Sequence, residues 1–148
     1  MTLQAPGMSA RMCGLFDDGL LRGGDRNDMT HLALAADHSG RYWRLTPADN
    51  GYFRLTTMFR GEGMCLDVYN GVPRDNQVHL TPCANYSGQF WALSNQNGRY
   101  RLTTQFRGPG MCLDIFNGGP DDNQSHLTPC ADYSGQDWQI SPTDNRVN

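Results

Sequence analysis

The sequence predicts an all-β chain assembled from three copies of one unit. Three observations carry this: a long gapless internal repeat, a composition poor in helix formers, and dense turn chemistry. Residues 52–98 and 99–145 align without a gap over 47 positions, of which 30 are identical, so the match is a duplication rather than a likeness of composition. All 12 cations are arginine, lysine is absent and Glu62 is the lone glutamate, which removes two residues that usually fill exposed helix surfaces. The 17 glycines and 8 prolines, mixed with many Asn and Asp, mark short strands joined by tight turns. The remaining residues, 1–51, have the length of one more unit. In them His31-Leu32, Ala36, Ser39-Gly40 and Trp43 precede His79-Leu80, Ala84, Ser87-Gly88 and Trp91 by 48 residues. Their first half diverges, because Met12-Cys13 matches Met64-Cys65 only at an offset of 52 and implies about four inserted residues before His31. The expectation is one domain over 1–148, with repeats at 1–51, 52–98 and 99–145 and the first divergent.

Within the second unit the punctuation predicts four strands, near 52–58, 65–69, 77–80 and 90–94. Asn70-Gly71, and Asn117-Gly118 after it, are the strongest turn signals between the second and third strands. Side chains alternate along a strand, so Leu66 and Val68 share the core face while Cys65, Asp67 and Tyr69 take the other. Val78 and Leu80 likewise point one way, leaving Gln77, His79, Thr81 and Cys83 opposite. Trp43, Trp91 and Trp138, with Leu45, Leu93 and Ile140 two residues on, read as core positions of each last strand.

Four of the five cysteines pair as Cys65 with Cys83 and Cys112 with Cys130, both at a spacing of 18, and read as disulfides formed in an oxidising compartment. The competing reading is a metal held by Cys65, His79 and Cys83 with Asp67, or by Cys112, His126 and Cys130 with Asp114, although the close Cys-x-x-Cys spacing of zinc clusters is missing. Cys13 is left over, since Ala35 stands at its expected partner position.

The net charge of −3 and scattered arginines give no electrostatic footprint for nucleic acid. No apolar run approaches the roughly 18 residues of a membrane span, and the first residues lack the pattern of an export signal. Localisation is thus divided: the disulfides favour a secreted protein, while no leader is visible.

These residues resemble the ricin B-type β-trefoil lectins. The resemblance covers about 12–145 and is carried by Cys-Leu-Asp at 65–67 and 112–114, by Cys83 and Cys130, and by the Gln-x-Trp motifs Gln89-Phe90-Trp91 and Gln136-Asp137-Trp138. It implies a β-trefoil of three four-stranded repeats about a pseudo-three-fold axis, and a glycan as partner. A sugar site needs an acceptor for adjacent hydroxyls, polar groups for orientation and an aromatic face for the C–H side of the ring. Strand parity places Asp67 and Tyr69 beside His79 and Thr81, and repeats the set as Asp114, Phe116, His126 and Thr128. By resemblance, Asp67 and Asp114 are the hydroxyl acceptors, with Gln89 and Gln136 as orienting partners.

Two departures from the family pattern bear on the ligand. The usual platform aromatic is replaced by Thr81 and Thr128, so the stacking ring falls to Tyr69 and Phe116 or to Tyr86 and Tyr133. His79 and His126 stand in place of glutamine, which predicts binding sensitive to pH near the ordinary imidazole pKa. In the first repeat Leu15 takes the place of Asp67 at the offset of 52, while Ala35 and Arg41 replace the second half-cystine and the glutamine. Two sites are therefore expected, which makes the chain bivalent and able to agglutinate cells. Galactose or N-acetylgalactosamine is the sugar type the resemblance implies.

Competing assignments exist for the same residues: Gln89 and Gln136 satisfying backbone groups, His79 and His126 as structural hydrogen-bonders, Asp67 and Asp114 capping the Asn-Gly turns. No cofactor is called for. An enzyme is the weaker class, because each repeat offers one carboxylate and one imidazole, without a paired acid or a nucleophile motif. The rival to a lectin is an interaction module whose sugar pockets have decayed and whose loops bind protein.

Overall fold

A chain of short alternating strands can bury its apolar residues only by stacking one layer of strands on another, and the computed structural model does this with three-fold symmetry. It describes residues 42–141 and, before them, the backbone of β1 (Thr2–Gln4), β2 (Gly14–Asp17) and β3 (Thr30–Ala33), with the side chain of Thr30. Strands β4 (Trp43–Pro47), β5 (Phe53–Thr57), β6 (Met64–Val68), β7 (Val78–Pro82) and β8 (Trp91–Gln96) follow. The last four are β9 (Arg99–Thr104), β10 (Met111–Ile115), β11 (Ser125–Pro129) and β12 (Gln139–Ser141).

The outer strands of successive repeats pair antiparallel with leucine or isoleucine at matching places: Leu45 with Leu55, Leu93 with Leu102, and Ile140 with Leu3. Bridges from Phe53 to Trp91 and from Tyr100 to Trp138 join these pairs within the second and third repeats. The inner strands form three hairpins, β2 with β3, β6 with β7 and β10 with β11. This is an all-β trefoil of three repeats.

Where the hairpins meet, Thr30, Val78 and Ser125 occupy equivalent buried places. The Thr30 hydroxyl donates to the Val78 carbonyl at 3.3 Å, the Ser125 hydroxyl donates to the Thr30 carbonyl at 3.2 Å, and the two hydroxyls touch. The core is built from Leu55, Leu66, Leu80, Leu102, Leu113 and Leu127 around Trp43, Trp91 and Trp138. Burying each leucine stabilises by roughly 1.5–3 kcal/mol. Each of the two later tryptophans also ties a hairpin to the barrel, Trp91 Nε1 donating to the Leu66 carbonyl at 2.9 Å and Trp138 Nε1 to that of Leu113 at 3.1 Å.

One expectation needs revision, and two of the competing readings fall. The register pairs Leu15 with Leu32, as it pairs Leu66 with Leu80, and sets Phe16 against His31, as Asp67 is set against His79. Phe16 rather than Leu15 therefore holds the place of Asp67, because a one-residue slip would break the in-register leucine pair of every hairpin. The Asn-Gly turns are capped by Asp75 and Asp122, which accept from the backbone N–H of Gly71 at 2.9 Å and of Gly118 at 2.6 Å, so Asp67 and Asp114 have other partners. The sulfurs of Cys65 and Cys83, and of Cys112 and Cys130, are bonded to each other, which removes the thiolates a metal would need. Cys13 lies outside the described residues, as do Ala35 and Arg41.

Candidate functional site

Asp67 ends the Cys-Leu-Asp segment of β6 with its carboxylate held from two directions. Its Oδ1 accepts the Val68 N–H at 2.7 Å and its Oδ2 accepts Gln89 Nε2 at 3.1 Å. Gln89 is fully buried in a 3-10 turn, Ser87–Gln89. Its amide also donates to the Pro82 carbonyl at 3.1 Å and accepts the Ala84 N–H at 2.8 Å. That turn forms because β7 ends at Pro82, which cannot extend the ladder, and the chain must return to the Trp91 position at the core. Gln89 is thus a positioning residue behind Asp67, with no surface left for a ligand.

Burial raises the Asp67 carboxyl above its ordinary pKa, and the hydrogen bonds from Val68 and Gln89 oppose that shift. An ionised carboxylate has about four lone-pair positions, and the hydrogen bonds above occupy one on each oxygen. What remains suits a pair of neighbouring hydroxyl donors.

Asp67 opens into a shallow cleft of about 470 Å³, within the roughly 300–1,000 Å³ typical of ligand pockets. Asn70, Asn85 and Ser87 supply its polar rim, and Tyr86 and Phe106 its aromatic rings. Tyr86 is 62% exposed, a large apolar surface left in water beside the carboxylate. Its loop is pinned by Arg54, whose Nη2 donates to the Ala84 carbonyl at 3.1 Å and to Asn85 Oδ1 at 2.9 Å. The floor is fitted to glycine at 88, since a Cβ there would fall far inside van der Waals distance of Asp67 Oδ1 and the carboxylate would have to move.

Tyr69 and His79 are neighbours of Asp67 but are not among the residues lining the cleft. Their rings stack at 3.7 Å between centroids with an 11° tilt. Burial lowers the His79 pKa to about 4, so the imidazole is neutral across the ordinary range, and the expected pH sensitivity near 6.5 gives way to one in acid. His126 is lowered too, by burial against the opposing pull of Asp114.

The third repeat reproduces this geometry closely. Gln136 Nε2 donates to Asp114 Oδ2 at 3.0 Å, the Ile115 N–H donates to Oδ1 at 2.7 Å, and Phe116 stacks on His126 at 3.7 Å. Tyr133 is 60% exposed and Arg101 pins its loop through the Ala131 carbonyl at 3.0 Å. Among the described residues, no group of three His, Cys, Asp or Glu is placed to hold a metal ion.

Sequence reasoning missed Asn70, Asn85, Ser87, Phe106 and the two arginines. Arg54 and Arg101 were legible as part of the repeated Arg-Leu-Thr-Thr, a charge kept at the head of a barrel strand. Phe106 carried no signal within its own repeat, because the cleft it lines belongs to the preceding one.

The trefoil thus carries a buried, amide-braced carboxylate in each of two repeats. The ricin-type β-trefoil lectin domain matches residues 51–148, and the chain belongs to that family. No curated protein sequence matches it. Among solved structures it is similar to ThreeFoil, a designed three-fold symmetric protein, at 21% identity and a TM-score of 0.71 over 96% of this chain and 97% of that one. It is also similar to SeviL bound to the asialo-GM1 saccharide, at 20% identity and a TM-score of 0.64 over 93% and 92% of the two chains. A mosquitocidal holotoxin superimposes with a TM-score of 0.78 at 14% identity over 97% of this chain, which spans 17% of the toxin's length. At these identities the likeness is one of fold.

Proposed function

We propose that this protein is a bivalent lectin that binds glycans at Asp67 and at Asp114, with galactose or N-acetylgalactosamine as the recognised terminal sugar. The observation that carries the reading is the pair of carboxylates, each braced by a buried glutamine and a backbone N–H with lone pairs left over, beside a tyrosine about 60% exposed. A braced acceptor is ordered before the ligand arrives, which lowers the cost of binding. Tyr86 and Tyr133 take the stacking role that Thr81 and Thr128 do not fill. Tyr69 with His79, and Phe116 with His126, act as stacked supports of the hairpin loop beside each site. The function is binding without catalysis, and the two disulfides suit a secreted protein.

The test is a printed glycan array probed with the oxidised protein and with the Asp67→Ala, Asp114→Ala double variant, folding being checked by circular dichroism. Wild-type binding to galactose-type glycans, including asialo-GM1, that disappears in the folded variant supports the reading. Silence of the wild type, or binding unchanged in the variant, overturns it in favour of a trefoil whose loops bind protein.

A further inference from the structure

We infer that the Asp67 cleft is a composite site, in which Phe106 of the third repeat forms a wall that contacts the glycan and makes this site the stronger of the two. The inference rests on the lectin reading and deepens it.

Phe106 lies in the turn after β9 yet is built into the second repeat. Its N–H donates to the Ser87 carbonyl at 3.3 Å, and the Gln105 N–H donates to the Phe90 carbonyl at 2.9 Å, so the turn is fastened to the segment that carries Tyr86 and Gly88. From behind, Thr104 Oγ1 accepts the Arg107 N–H at 3.1 Å. The Arg107 guanidinium lies over the Phe106 ring, 4.4 Å from its centroid, and pairs with Asp75 at 2.5 Å. Asp75 is also the cap of the Gly71 turn in the loop that supplies Asn70. The ring is therefore fixed from both sides before any ligand binds, and with Tyr86 it gives the Asp67 carboxylate two aromatic neighbours.

The Asp114 site has no counterpart in the sequence. In chain order the segment between β1 and β2 corresponds to the one between β9 and β10 that carries Phe106. Residues 5–13 contain no aromatic side chain at all. The near-identity of the second and third repeats hides this difference, because it resides in whichever repeat comes next.

The experiment uses the same printed glycan panel, with apparent dissociation constants measured on the brightest glycan for Asp114→Ala, which leaves the Asp67 cleft, and for Asp67→Ala, which leaves the other. Each is combined with Phe106→Ala. Loss of an aromatic wall is expected to weaken Asp114→Ala about ten-fold. Asp67→Ala should be unaffected by the same change, and this also reports that the variant folds. Phe106→Trp should retain binding by Asp114→Ala, and Phe59→Ala, one repeat earlier and outside the cleft, should change neither background. Equal losses in the two backgrounds, or no loss in Asp114→Ala, would overturn the composite site while leaving the lectin reading intact. A wild type silent on the whole panel overturns both.

Discussion

Replacing Gly88 by alanine tests the geometry of the carboxylate without removing it. A Cβ at this position would collide with Asp67 Oδ1 and meet the Val68 nitrogen in ordinary contact at 3.4 Å, so the one methyl group crowds the carboxylate and not the hairpin backbone. The carboxylate is the softer partner and should rotate, giving up the bonds from Val68 at 2.7 Å and from Gln89 at 3.1 Å. Overpacking of this kind costs about 1–3 kcal/mol. Spread over a chain of this size, that corresponds to a fall in Tm of roughly 3–10 °C.

Gly135 is the matched position at Asp114, whereas a Cβ on Gly63 meets nothing within 4 Å. The expected series in urea unfolding is therefore Gly63→Ala near wild type and Gly88→Ala and Gly135→Ala both destabilised. Each of the latter should lose glycan binding at its own site although its aspartate is present. Wild-type stability and wild-type binding in Gly88→Ala would refute the reasoning, since the carboxylate would then have neither the position nor the bracing assigned to it.

Truncating the brace itself, Gln89→Ala, strands the Ala84 N–H and the Pro82 carbonyl and frees Asp67, and should cost roughly 3–5 kcal/mol in denaturant unfolding; a loss under 1 kcal/mol would show that the buried amide is dispensable. Removing either disulfide, as in Cys65→Ser with Cys83→Ser, opens an 18-residue link and should lower stability by about 3 kcal/mol, read from the shift in urea midpoint. The depressed His79 pKa sets a pH dependence: the unfolded imidazole takes its proton near 6.5 and the folded one only near 4, so stability falls as pH drops through that window. At about 1.4 kcal/mol per unit the loss has an upper bound of roughly 3.5 kcal/mol. The raised Asp67 carboxyl acts in the opposite sense, so the comparison is with His79→Gln, whose stability should slope less between pH 6.5 and 4; equal slopes would count against a buried neutral imidazole.

Duplication is what made the fold legible. The same tryptophan, leucine and cysteine positions recur, and a closed three-fold structure is how short alternating strands bury such a set. The carboxylates were legible for a chemical reason as well, since an acidic residue one place before the buried Val68 or Ile115 must find partners. Environment was harder to see. Whether an imidazole sits in water or against a ring is decided by a stack between Tyr69, just past the end of β6, and His79 on β7, and burial there lowers the His79 pKa to about 4. In the first repeat Met12-Cys13 offers a match to Met64-Cys65 that lies one residue out of register, because the pairing of Leu15 with Leu32 sets the register.

Closure of the barrel through β1 and β12 gives the divergence of the first repeat a reach beyond its own hairpin. Each described barrel pair, Leu45 with Leu55, Leu93 with Leu102 and Ile140 with Leu3, sets the end of one repeat against the start of the next. On the composite-site reading, the turn following β9 serves the cleft of the preceding repeat. The Phe106–Arg107 turn then acts on Asp67, and residues 5–13 hold no aromatic side chain that could act likewise on Asp114. A chain with two nearly identical repeats can in this way carry two unequal sites although the same aspartate and the same bracing glutamine recur in both.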